Sequence, residues 1–232
     1  SADLYQTQGL FDVSEQKLLE AQRIDPEEPV IQFALAEFYF NSRNYRKAIN
    51  LYLHLIKSGT LEMSAVNLVE RLGVSYAEIG KFEQAVGYLE QIKPVHMNSD
   101  VKFELAFTYF NLKDYQKAVK AFTDLRDSDP QYSSLYPYLA DAYVELKRTD
   151  DALKAIQEGI SIDQFNEKIW QKAGQIATMA GEDDLALEYF QKGHEIAPDD
   201  VELLNLLSDW YVEHERYEDN LKLLEPLEAD HV

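Results

Sequence analysis

Residues 99–132 read SDVKFELAFTYFNLKDYQKAVKAFTDLRDSDPQY, and the spacing of their apolar residues decides the fold. Leu105, Ala106 and Tyr109 fall on one stripe of a first helix, and Tyr115, Ala118 and Phe122 on one stripe of a second. The segment FNLKDY (Phe110–Tyr115) lies between them and is too short for anything but a tight turn. Pro130 follows, where a residue without a backbone N–H stops one helix and admits the next. These 34 residues therefore predict two antiparallel helices packed face to face.

The same frame recurs along the chain. Alanines stand at Ala48, Ala85, Ala118, Ala152 and Ala186, at intervals of 37, 33, 34 and 34 residues. Stepping on by one more repeat reaches Asn220, and stepping back reaches Ser14. Twelve residues before each of the last six positions stands a small residue, namely Ala36, Gly73, Ala106, Ala140, Gly174 and Ser208. Small side chains there predict helix backbones that approach too closely for anything larger. Tyr39, Tyr76, Tyr109, Tyr143 and Tyr211 follow three residues later, with Ala177 the exception. Tyr45, Phe82, Tyr115 and Tyr217 open second helices, while Thr149 and Asp183 take that place in their repeats.

This pattern resembles the tetratricopeptide repeat. The family's order of aromatic, Leu-Gly/Ala, Tyr, Ala, Phe and Pro is kept well in 167–200, as Trp170, Ala173-Gly174, Gly181, Ala186, Phe190 and Pro198. It is kept equally well in 99–132. Six units cover 29–65, 66–98, 99–132, 133–166, 167–200 and 201–232, and 1–28 reads as a partial repeat before them. The resemblance implies an all-α, right-handed superhelical solenoid of antiparallel helix-turn-helix repeats over 1–232, stabilised by nearest-neighbour stacking. Local departures are expected at Lys57–Ser64, where the turn is longer, and at Pro94, which comes early. The last helix, about Tyr217–Leu224, carries Leu221, Leu223 and Leu224 close to the end of the sequence, which predicts continuation of the chain or contact with another copy.

Composition excludes several function classes. The net charge is −20, against the basic footprint that nucleic acid or an anionic membrane surface demands. Residues 1–116 hold 11 Lys and Arg against 16 Asp and Glu, and residues 117–232 hold 11 against 26, so the second half carries −15. Such acidity reads either as a solubilising surface or as a match to a basic partner. There is no Cys, which removes disulfides and thiolate metal sites and fits a reducing, cytoplasmic setting. Ser1-Ala2-Asp3-Leu4 has neither the basic start nor the apolar core of a signal peptide.

Reactive chemistry is equally absent from the pattern. His54, His96, His194, His214 and His231 stand at no helical ligand spacing from one another, and Glu213-His214-Glu215 fans around its helix. The nine glycines are scattered, so no phosphate-cradling loop exists; Gly80 and Gly181 sit at turns. The expectation is a non-catalytic protein without cofactor or metal.

In tetratricopeptide proteins the first helix of each hairpin lines the concave, ligand-binding wall. The resemblance therefore assigns the wall to Phe33, Glu37, Phe40 and Asn41, then Arg71, Val74 and Glu78, then Phe103, Phe107, Phe110 and Asn111. Tyr138, Asp141 and Glu145 continue it, followed by Lys168, Lys172 and Gln175, and by Asp209 and Glu213. Phe103, Phe107 and Phe110 form a second apolar stripe beside the packing one; superhelical curvature buries it, or it is a binding patch. The Lys, Arg and Asn clamp that some family members use for acidic peptide termini has no grouped counterpart here. The wall instead predicts a protein or peptide partner with apolar anchors and basic residues. The alternative is a structural, self-associating segment of a larger protein, joined through the apolar helix 217–224.

Overall fold

A computed structural model describes residues 2–59 and 65–229, with side chains at 13–59 and 67–225. The described residues form helices and no strand. Among the described residues, six pairs of helices, each pair joined by a short turn, follow an initial helix α1 (Ala2–Ile24). They are α2 (Pro29–Asn41) with α3 (Tyr45–Ser58), α4 (Ala65–Glu78) with α5 (Phe82–Leu89), and α6 (Ser99–Asn111) with α7 (Tyr115–Ser128). Then come α8 (Leu135–Glu145) with α9 (Thr149–Ile162), α10 (Glu167–Ala180) with α11 (Asp183–Ile196), and α12 (Val201–Glu213) with α13 (Tyr217–Ala229). The chain divides into two compact units, Ser1–Asp114 and Tyr115–Val232. Within each, every helix packs on the next one in sequence, and α4 also touches α6, as α8 touches α10.

The repeat frame fixes the core. Ala48, Ala85, Ala118, Ala152 and Ala186 are all fully buried. Leu35, Leu72, Leu139 and Leu207, from the first helices, are buried as well. At Gly73 and Gly174 the space is taken chiefly by a side chain rather than by a second backbone. A Cβ on Gly73 would stand 2.5 Å from Leu89, and one on Gly174 would stand 2.4 Å from the ring of Phe190. Leu89 and Phe190 are the bulky residues four past the alanine of the same hairpin. Gly73 and Gly174 are thus each the socket for a large residue of the partner helix.

The turn inside every hairpin is built alike. Arg43, Gly80, Lys113, Lys147, Gly181 and Glu215 all take left-handed backbone, with φ between 57° and 75°. The next residue's N–H reaches back five positions, to the carbonyls of Tyr39, Tyr76, Tyr109, Tyr143, Ala177 and Tyr211. This closes the end of each first helix and satisfies a carbonyl that would otherwise be orphaned. Side-chain caps start several first helices: Asn98 accepts from Val101 N–H at 2.9 Å, and Asp200 accepts from Glu202 and Leu203 N–H.

Departures in the sequence show locally. Pro94 opens a one-turn 3₁₀ helix, Pro94–His96, and α5 ends early at Leu89. The lengthened turn expected over Lys57–Ser64 lies largely outside the described residues, which stop at Gly59 and resume at Ala65. The final helix runs five residues past the expected Leu224, to Ala229. Leu221 is 65% exposed, while Leu223 and Leu224 are half-buried.

Candidate functional site

The first helices carry two sets of side chains. One set makes the seams. The tyrosines three residues after the small position reach back to the preceding helix: Tyr39 donates to Glu15 at 2.8 Å and Tyr109 to Glu90 at 2.6 Å. Tyr211 accepts from Gln191 at 3.0 Å in the same way. Burial and the carboxylate acceptor push the Tyr109 hydroxyl well above its usual range, so it stays a neutral donor.

The other set holds the side chains that the repeat register assigns to the wall. In the first unit Glu37 accepts from the hydroxyl of Tyr52, which is fully buried, and from Arg71 Nε at 3.2 Å. The Arg71 guanidinium also lies 4.4 Å above the ring of Phe40. Four residues of α2, α3 and α4 thereby become one polar and aromatic knot. Phe33 and Phe40 are half-buried against the core of this hairpin, whereas Asn41 is exposed. Burial, and then the charge of Glu78, push the Glu104 carboxyl up to about 7. Tyr45, at the start of α3, is raised by its own burial and by the charge of Glu78.

Phe103, Phe107 and Phe110 are half-buried on α6. The rings of Phe103 and Phe107 stack with centroids 6.0 Å apart and planes 9° from parallel. Asn111 donates to the Phe107 carbonyl at 2.8 Å.

In the second unit Lys172 of α10 pairs with Asp141 of α8 at 3.0 Å. This pair repeats the register of Glu37 and Arg71. In both, the acid stands one past the small residue of its helix, and the base two before the small residue of the next first helix. The two bases were legible separately as wall residues; their pairing appears only when successive hairpins are laid side by side. Tyr138 is half-buried and stacks on Phe122, with centroids 6.3 Å apart. Glu145 and Lys168 are exposed, and Val74 is half-buried.

Between α10 and α12 the wall opens into a hollow of about 400 Å³, lined by Gln175, Thr178, Met179, Phe190, Leu206, Asp209, Trp210 and Glu213. Three of these, Gln175, Asp209 and Glu213, are wall positions expected from sequence; Met179 and Leu206 were not expected. Trp210 is buried, stacks on His214 at 3.8 Å, and its indole N–H has no acceptor among the described residues. No group of three or more His, Cys, Asp or Glu is placed to hold a metal ion among the described residues. No described helix is long and apolar enough to cross a membrane.

Comparisons with known proteins agree with this geometry. Three family models match, all of tetratricopeptide repeats: a YpiA-like model over residues 6–60, and two general repeat models over 70–93 and 109–176. The chain is 34% identical, over 228 residues, to the TPR repeat-containing protein YpiA of Bacillus subtilis (strain 168). That match covers 98% of this chain but only 54% of the relative's length. Among solved structures, the C-terminal part of a TPR repeat-containing protein from Cytophaga hutchinsonii matches with a TM-score of 0.72 at 17% identity, over 84% of this chain and 80% of that one. YrrB, described as a TPR protein with an unusual peptide-binding site, matches with a TM-score of 0.66 at 17% identity, over 81% of this chain and 96% of that one.

Proposed function

The chain belongs to the tetratricopeptide-repeat family, and from that premise we propose that it is a non-catalytic scaffold whose first helices hold a segment of a partner protein. One observation carries the reading. Two of the wall's bases are consumed internally, since Arg71 and Lys172 are each paired with a carboxylate of the preceding first helix. What the wall offers a partner is therefore mainly aromatic surface and acid, with Lys168 its exposed cation. Such a wall disfavours acidic peptide termini and nucleic acid, and it favours a peptide with apolar anchors and basic residues.

Affinity capture from a native cell extract tests this, with the Phe103→Ala/Phe107→Ala variant as control. If those two rings are central anchors, the variant should retain at least about tenfold less of the captured protein. Retention of nothing above bare resin by the wild-type chain would end the scaffold reading. Equal retention by a variant of unchanged thermal stability would move the anchor off α6.

Tyr217 and Leu221 favour a second reading. They are 59% and 65% exposed on α13, an apolar face suited to self-association of a structural segment. A molecular mass that rises with concentration in light scattering, and returns to the monomer on Leu221→Glu, would support it.

A further inference from the structure

We propose that the hollow between α10 and α12 is the seat of one particular kind of segment: a bulky apolar side chain with a Lys or Arg within about four residues of it, on a partner protein. The proposal rests on the scaffold reading above and names the chemistry that the second unit selects.

Glu37 with Arg71, and Asp141 with Lys172, clasp their neighbouring first helices at equivalent positions. At the α10–α12 junction the same two positions hold Gln175 and Leu206, so no ion pair closes the seam. The hollow opens there, with both residues in its lining. Its volume of about 400 Å³ falls in the lower part of the ~300–1,000 Å³ range of clefts that take ligands.

Met179 gives the second observation. It stands five past the small residue of α10, where the other first helices carry Asn41, Glu78, Asn111, Glu145 and Glu213. The position is polar in every hairpin but this one. Here a methionine lies 63% exposed at the edge of the hollow. Its unbranched thioether adapts to apolar partners of differing shape. With Leu206 and Trp210 it supplies the floor for an apolar anchor.

Charge sets the rest. Asp209 and Glu213 line the same hollow from α12, four residues apart and exposed. Among the described residues neither makes a hydrogen bond or ion pair, and no Lys or Arg lines the hollow. Like charges at that spacing repel each other and destabilise the helix that carries them. Lys172, one turn back along α10, is held by Asp141. A cation brought by the partner is the missing complement.

The test is selection of random dodecapeptides on the immobilised 232-residue chain at low salt, followed by fluorescence anisotropy of the most enriched peptide. The enriched sequences should join a Leu, Phe, Met or Trp to a nearby Lys or Arg. The labelled peptide should lose at least about tenfold in affinity on Asp209→Lys/Glu213→Lys, and less on the near-isosteric Asp209→Asn/Glu213→Gln. Met179→Ser should weaken it at every salt concentration, whereas the charge contribution should fade at high salt. Far-UV circular dichroism checks that each variant is folded, and the neutral pair replaces the reversed pair if the latter is not. If the peptide binds the folded variants within about twofold of wild type, this hollow is not the seat while the scaffold reading stands. If the selection enriches nothing, both fall.

Discussion

Gly174→Ala should destabilise the second unit, although the same exchange usually strengthens a helix. A helical Gly→Ala change gains about 0.8–1 kcal/mol from backbone entropy and solvation. The new Cβ would lie 2.4, 2.5 and 2.8 Å from three atoms of the Phe190 ring. Carbon atoms in ordinary contact sit about 3.5–4.0 Å apart, so the methyl overlaps the ring by roughly 1 Å. Phe190 is buried, and its planar ring cannot bend away as a chain end could. Overpacking of this sort costs about 1–3 kcal/mol, which outweighs the helical gain. The net expectation is a loss of up to about 2 kcal/mol. Gly87, in α5, supplies the control. A Cβ there meets nothing within 4 Å, so Gly87→Ala should stabilise by about 0.5–1 kcal/mol. Urea unfolding separates the two. The chain's two tryptophans, Trp170 and Trp210, both report on the second unit, and circular dichroism at 222 nm reports on all helices. A tryptophan midpoint for Gly174→Ala at or above wild type, with unchanged slope, would refute the socket at this position.

The left-handed turns give a second prediction. Lys147→Gly should raise the thermal midpoint and Gly181→Ala should lower it, each by the equivalent of about 1 kcal/mol, because a Cβ in that conformation is strained and all six turn residues are exposed. Opposite signs in differential scanning calorimetry would remove strain as the explanation. The third concerns Glu104, whose carboxyl is raised from 4.5 to about 7. The folded state then holds a proton that the unfolded chain releases, so this group's stabilisation is full below about pH 4.5 and is lost as pH rises to about 7. Glu104→Gln should be the more stable protein at pH 8, by on the order of 1–3 kcal/mol, and the advantage should shrink towards pH 4.5. A constant difference across urea titrations at several pH values would contradict it.

The packing frame was legible because it is a constraint on volume. Ala48, Ala85, Ala118, Ala152 and Ala186 recur in sequence because each fills the same fully buried site. Gly73 and Gly174 recur for the matching reason, although the sequence alone pointed to backbone approach rather than to the side chains of Leu89 and Phe190. Pro94, which comes early in its repeat, opens the one-turn helix Pro94–His96, where its fixed φ and missing N–H suit a first helical position. The turn was half hidden. Gly80 and Gly181 marked it, but Arg43, Lys113, Lys147 and Glu215 adopt the same left-handed backbone, and no propensity rule selects those residue types for it. There the 6→1 hydrogen bond that closes the first helix outweighs local preference. Wall residues were legible as a set and not as partners. Glu37 and Arg71 lie 34 positions apart, and their pairing depends on how neighbouring first helices align.

That asymmetry bears on where a repeat protein can store specificity. Socket and knob positions tolerate few residue types, since exchanging Gly174 for even Ala would drive a methyl into Phe190. Seam tyrosines are bound by geometry too, with hydroxyls spent on Glu15, Glu90 and Gln191. Positions one past the small residue and two before it carry no such obligation, and they vary freely: Glu37, Val74, Phe107, Asp141, Gln175 and Asp209 all occupy the first of them. Whether a charge there serves the fold or a partner depends on its neighbour one repeat away. Asp141 meets Lys172 and is consumed; Gln175 meets Leu206 and leaves a gap. Under the proposal above, recognition in the second unit is set between α10 and α12, where the clasp seen between α8 and α10 has no counterpart.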